Sequence, residues 1–237
     1  MERRKVTAGV SRTRELRFEA SKTSGNVSAL LLRPKDARWL LVFAHGAGAG
    51  MRHRFMEAMA VKLAEQQIAT FRYQFPYVEK GIKRPNPKPI LLATVRSAVA
   101  AAQSAAPDLP LLAGGKSMGG RMTSNAAAEE PLANVRGVVF FGFPLHPPGQ
   151  ASTDRADHLD AVSVPMLFLQ GTRDTLADLK LLRPVCKRLG KRATLHIIDG
   201  ADHSFHVLKS SGRTDEEVLD ELAGTVAEFV GSWDIQQ

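Results

Sequence analysis

Short apolar, β-rich runs alternate with stretches of helical periodicity along most of this chain. Few folds accept such an alternation, and the pattern predicts a mostly parallel sheet with helices on both faces, an α/β class. Eight strands are expected, over residues 15–20, 27–32, 39–44, 70–74, 110–113, 137–141, 165–170 and 193–198. Several are unbroken apolar runs, as strands buried on both faces must be. Between them Phe55, Met56, Met59, Ala60 and Leu63 share one helical face, and residues 90–105 are Ala/Leu-rich with helical spacing. Thr214 and Glu217 form a capping box ahead of Val218, Leu219, Leu222, Val226, Phe229 and Val230, which recur at the helical period. Residues 178–189 also look helical, but Pro184 lacks an amide hydrogen and is expected to break the run or begin a new turn.

The connectors 21–26 and 33–38 are too short for a helical crossover, so the first strand should pair antiparallel with the second, and the second with the third. Two segments, 76–89 and 145–163, are rich in Pro and polar residues and are expected to be loops. Neither has room for a second domain, so the 237 residues read as one domain with no large cap, with 1–13 expected as a flexible N-terminus. The N-terminal stretch carries Arg3 and Arg4 but no apolar segment of a secretory signal, and no run approaches the roughly 18–20 apolar residues of a membrane span. One cysteine, Cys186, permits no intrachain disulfide and fits a cytoplasmic location. The net charge of +8 is spread among acids over most of the chain, so no nucleic-acid partner is expected.

The chemistry concentrates in Gly114-Gly115-Lys116-Ser117-Met118-Gly119-Gly120-Arg121, where an apolar strand runs through G-x-S-x-G into a helix. That context suits a nucleophile elbow, a sharp turn that projects the serine hydroxyl and needs glycine at 115 and 119 because side chains there would collide. A hydroxyl is a weak nucleophile until a base takes its proton, so Ser117 demands a histidine and an acid. Asp174 stands just past the strand 165–170 and His203 just past 193–198, at the strand ends where catalytic groups gather in parallel sheets. His206, His45 and His196 compete for the base, and Asp178 and Asp202 for the acid. His196 lies inside a strand, His45 is expected to brace the loop after the third strand, and Asp202 reads as a turn residue. The oxyanion of an acyl transfer would be met by the amide of Met118 and by one from His45-Gly46-Ala47-Gly48-Ala49-Gly50, with Ala47 the candidate.

Two rival motifs fail: Gly115-Lys116-Ser117 lacks the earlier glycine of a phosphate-binding loop, since position 110 is Pro, and the Gly46/Gly48 pattern breaks at Met51. Phe75, Tyr77, Phe143 and Phe205 follow strand ends and are candidates for walls of an acyl pocket. Lys80, Lys83, Arg84 and Lys88 crowd one loop where an anionic substrate would be attracted.

Through the strand-ending His45-Gly46, GKSMGGR, GTRD and GADHSFH, from about Glu15 to Trp233, the sequence resembles the α/β-hydrolase superfamily. It looks most like the small, capless, dienelactone-hydrolase-related group with the testis-expressed protein 30-like and KANSL3-like hydrolase domains. A dienelactone hydrolase proper would carry cysteine where Ser117 stands. The resemblance implies the fold and the assignment of Ser117, Asp174 and His203 as a triad, and fixes no substrate; the residues themselves point to a serine hydrolase acting on a small-molecule carboxylic ester or thioester through an acyl-enzyme, with no metal or organic cofactor. Two alternatives stay open: an interaction module with a vestigial triad, and an acyltransferase with an acceptor other than water. Homo-oligomerisation is not readable.

Overall fold

The structure, a computed structural model, describes residues 13–234, so all but Thr13 of the expected flexible N-terminus lies outside the described residues. Eight strands form one sheet: β1 (Arg14–Ser21), β2 (Gly25–Leu32), β3 (Trp39–Ala44), β4 (Ile68–Tyr73), β5 (Leu111–Lys116), β6 (Val135–Phe141), β7 (Met166–Gly171) and β8 (Ala193–Ile198). Their order is β1-β2-β4-β3-β5-β6-β7-β8. Pairing is antiparallel for β1–β2 and β2–β4 and parallel from β4 through β8.

The apolar runs are unbroken because each strand feeds two cores. In β3, Leu40, Val42 and Ala44 enter one core and Trp39, Leu41 and Phe43 the other, as the two-residue period of a strand requires. The first core is covered by α3 (Lys88–Ala105), α4 (Met118–Glu129) and α5 (Leu179–Leu189), the second by α1 (Arg54–Glu65) and α6 (Asp215–Asp234). The capping box is formed: Thr214 Oγ1 accepts the Glu217 amide at 3.2 Å, and Glu217 accepts the Thr214 amide at 2.7 Å.

Three sequence expectations need correction. β2 does not pair with β3; β4 lies between them. The connector 33–38 is long enough to step over one strand position of about 4.8 Å, and the slot left open is filled by β4, which bonds to both neighbours. Pro184 does not break its helix, because it and Lys180, whose carbonyl loses a partner, both lie on the exposed face of α5, where water can serve. The two expected loops each contain a helical turn, α2 (Pro76–Glu79), begun by proline at its first position, and a 3-10 helix over Asp154–Ala161. Among the described residues no helix is long and apolar enough to cross a membrane.

Candidate active site

Ser117 stands between β5 and α4 with φ +51° and ψ −116°, a left-handed conformation costly for any residue with a side chain. The strain is held by close backbone packing. A Cβ on Gly115 would lie 2.4 Å from the Ala44 carbonyl oxygen, and one on Gly119 would lie 2.5 Å from the same atom and 2.6 Å from that of His45. Both glycines are therefore required for α4 to start against the end of β3. The Ser117 amide donates to the Phe141 carbonyl at 3.1 Å, tying the turn to β6.

The structure brings Ser117, His203 and Asp174 together. His203 Nε2 lies 2.8 Å from Ser117 Oγ, and His203 Nδ1 lies 2.7 Å from Asp174 Oδ2. A carboxylate only accepts, so Nδ1 carries the proton and Nε2 is left to accept from the serine hydroxyl. The Asp174 side chain is 1% exposed and the His203 side chain 23%. The buried carboxylate is met by three donors: His203, the Leu176 amide at 2.8 Å and Gln170 Nε2. Gln170 in turn accepts the Phe143 amide at 3.0 Å, so one side chain fixes both the acid and the chain leaving β6.

Lys116, beside Ser117, donates from Nζ to the His203 carbonyl at 2.5 Å and lies 5.3 Å from the Phe205 ring centroid. Burial pulls its pKa down to about 8, against the attraction of Asp174 and Asp202. Gly142, at φ +73°, brings its Cα close to this pair: a Cβ there would lie 3.1 Å from Lys116 Nζ and 3.4 Å from His203 Nδ1. Gln170 holds Asp174 and Lys116 holds the His203 carbonyl, contacts that the sequence did not reveal. A glutamine inside an apolar strand was the available signal for the first; nothing local marks the second.

The loop after β3 folds over the elbow, with the Gly46 Cβ position 3.8 Å from Ser117 Cβ. His45 braces it as expected: Nδ1–H donates to the Gly46 carbonyl at 2.7 Å and Nε2 accepts the Phe75 amide at 3.2 Å. Complete burial lowers the His45 pKa to about 4, so the ring is neutral and cannot compete as the base. Tyr77 accepts the Gly48 amide at 3.0 Å. Ala47 and Met118 both line the cavity at Ser117, and among the described residues neither amide donates to a protein group. Those are the two donors expected to face an oxyanion.

The cavity beside Ser117 measures about 540 Å³ and is walled by Leu91, Met118, Met122, Leu176 and prolines 85, 144, 147 and 148. The aromatic candidates must be corrected. Phe75, Tyr77, Phe143 and Phe205 are at most 3% exposed, and none lines this cavity. The chain turns inward after β4, β6 and β8, so these rings join the cores; Phe205 stacks on Phe55 at 5.7 Å. Of the basic loop only Lys88 reaches the cavity, while Lys80, Lys83 and Arg84 are exposed to solvent. Two arginines line it instead: Arg121, which closes the GKSMGGR motif but carries no role of its own there, and Arg155, which no motif marks.

The other candidates have separate tasks. His206 pairs with Asp215 and His196 with Glu221, both away from Ser117. Asp178 caps α5 through the Lys180 amide, and Asp202 accepts the Ser204 and His206 amides in its turn. Cys186 is buried on α5 with its thiol pKa pushed up to about 11 by desolvation, which makes it inert. A second serine–histidine contact, Ser124 Oγ to His158 Nε2 at 2.7 Å, joins α4 to the 3-10 helix. Ser124 is fully buried within a helix, and among the described residues no carboxylate stands behind His158, so this contact lacks the geometry for nucleophilic attack.

The chain matches the alpha/beta hydrolase domain family over residues 37–231, and it belongs to that family. Its fold is similar to that of a dienelactone hydrolase from Anabaena variabilis, with 21% identity, a TM-score of 0.68, and coverage of 91% of this chain and 96% of that one. It is also similar to a serine hydrolase without a lid from Xanthomonas campestris, with 18% identity, a TM-score of 0.71, and coverage of 95% and 96%. A third similar structure is the esterase Est22, with 16% identity, a TM-score of 0.73, and coverage of 92% and 80%. The likeness is thus to capless, dienelactone-hydrolase-like serine hydrolases; the narrower KANSL3-like grouping is not shown.

Proposed function

We propose that this chain is a serine esterase or thioesterase in which Ser117 is the nucleophile, His203 the base and Asp174 the orienting acid. The observation that carries the reading is the continuous relay from Ser117 Oγ through His203 to the buried Asp174, at 2.8 and 2.7 Å. Ser117 Oγ bonds to the substrate carbonyl carbon while His203 Nε2 takes its proton. Asp174 holds the imidazole in the tautomer that can accept and stabilises the imidazolium that results. The amides of Ala47 and Met118 receive the carbonyl oxygen as it gains charge, each worth about 3–4 kcal/mol of transition-state stabilisation in comparable sites. His203 returns the proton to the departing alcohol or thiol, and water, activated by the same base, releases the acid and restores Ser117.

The likeness to lidless serine hydrolases and an esterase supports the reaction class, and the cavity's apolar walls favour an acyl chain or ring. The test is turnover of a short-chain para-nitrophenyl ester, together with labelling by a fluorophosphonate. The wild type is expected to turn over and to be labelled at Ser117, and Ser117→Ala to lose both while keeping its circular dichroism spectrum. Unchanged turnover in Ser117→Ala would overturn the assignment. Adding competing alcohols and analysing products separates hydrolysis from acyl transfer.

A further inference from the structure

Arg121 lies one helical turn after Ser117, on α4, and points into the same cavity. Its guanidinium forms no ion pair or side-chain hydrogen bond among the described residues, and its Nε is buried without a partner. Arg155 comes from the 3-10 helix of the 145–163 segment, and among the described residues its one side-chain bond is to the Pro144 carbonyl at 3.4 Å. Lys88 completes the group from the first turn of α3, held loosely by Glu129 at 3.8 Å. Among the described residues no carboxylate lines this cavity. Elsewhere the chain pairs many of its cations: Lys62 with Glu216 and Asp220, Arg33 with Asp108, Arg213 with Glu221.

A half-buried guanidinium with no partner and a buried, unbonded Nε is costly, and a second guanidinium facing the same cavity adds repulsion. Both effects disfavour the charged form of Arg121, burial first and Arg155 second. An oxyanion between them would relieve both costs, with geometry the planar guanidinium matches in a bidentate manner. Nearby His158 is held neutral, its pKa lowered to about 4 by burial, Lys88 and Arg121, so it adds no further charge.

We propose that Arg121 and Arg155 form an anion subsite beside Ser117, so that the substrate is an ester or thioester bearing its own carboxylate or phosphate group. The ester carbonyl sits at Ser117 while the anionic end reaches across the cavity to the two arginines. This rests on the esterase reading for its catalytic half, whereas anion binding itself does not depend on turnover.

The experiment compares mono-para-nitrophenyl adipate with para-nitrophenyl hexanoate in the wild type, Arg121→Met and Arg155→Met. The wild type is expected to favour the anionic ester by about tenfold or more in kcat/KM, and each variant to lose most of that preference. Equal use of both esters by the wild type, or a preference untouched in both variants, would overturn the subsite. If one variant does not fold, the other carries the comparison. If neither ester is turned over and Ser117 is not labelled, the esterase reading fails alone, and calorimetric titration with adipate and with inorganic phosphate decides the subsite. Saturable binding of either, lost in the arginine variants, upholds it and identifies which oxyanion fits; no binding of either overturns it.

Discussion

A methyl group on Gly119 would press within 2.6 Å of two backbone carbonyl oxygens, atoms that cannot rotate aside as a side chain can. Gly119→Ala is therefore expected to cost at least the upper end of the about 1–3 kcal/mol typical of overpacking, with loss of fluorophosphonate labelling. Urea denaturation and labelling check this together; a variant of native stability would show that the elbow yields. Single residues carry the rest of the site in a similarly local way. The G-x-S-x-G letters and the order of Ser117, Asp174 and His203 were legible because each sits at a recognisable strand end. Gln170, Lys116, Arg121 and Arg155 were not. Gln170 is marked only by its polarity inside an apolar strand, Lys116 meets a backbone carbonyl 87 residues away, and the cavity that Arg121 and Arg155 share is assembled from separate elements.

At the scale of the element, α6 offers substitutions of opposite sign. Removing the reciprocal cap with Thr214→Ala is expected to destabilise by about 1 kcal/mol. Gly224 lies in the interior of the same helix with nothing within 4 Å of a Cβ, so Gly224→Ala is expected to stabilise by roughly 0.5–1 kcal/mol. Shifts of the thermal midpoint read both, and a gain on removing the cap would contradict the first. Helix α5 shows where local rules mislead. Pro184 predicts a break when the helix is imagined alone, but Leu182, Val185, Cys186 and Leu189 bury one face while the proline stays on the other. Packing along the buried face outweighs one missing hydrogen bond. Strand β4 is the complementary case: its residues predict a strand, but its place between β2 and β3 is set by pairing on both sides.

Across the whole molecule, His45 couples the loop over Ser117 to acid stability. In the unfolded chain its ring protonates near the ordinary value of 6.5, whereas in the fold it resists until about 4. Between those values the unfolded state binds more protons, so stability falls as pH drops through this window and is fully present above it. His45 alone contributes a loss of about 3 kcal/mol at the acid end, and His158, lowered likewise, adds to it. Urea midpoints followed from about pH 7 down to about pH 4.5 should decline, with a shallower slope in His45→Gln; an identical slope in that variant would contradict the assignment. The charge of +8 also gains a location at this scale, since part of it faces the cavity unpaired instead of being spread on the surface.

The sequence by itself determined the α/β class, eight strands, the elbow and the chain order of its three partners, because periodicity, glycine spacing and strand ends are properties of neighbouring residues. The tertiary structure decided the rest: that β4 separates β2 from β3, that the four aromatic rings belong to the cores, and that arginines from two separate elements meet at one cavity. Those outcomes depend on which distant segments share space. Burial, charge pairing and close packing are set by that sharing, and no local pattern of residues encodes it.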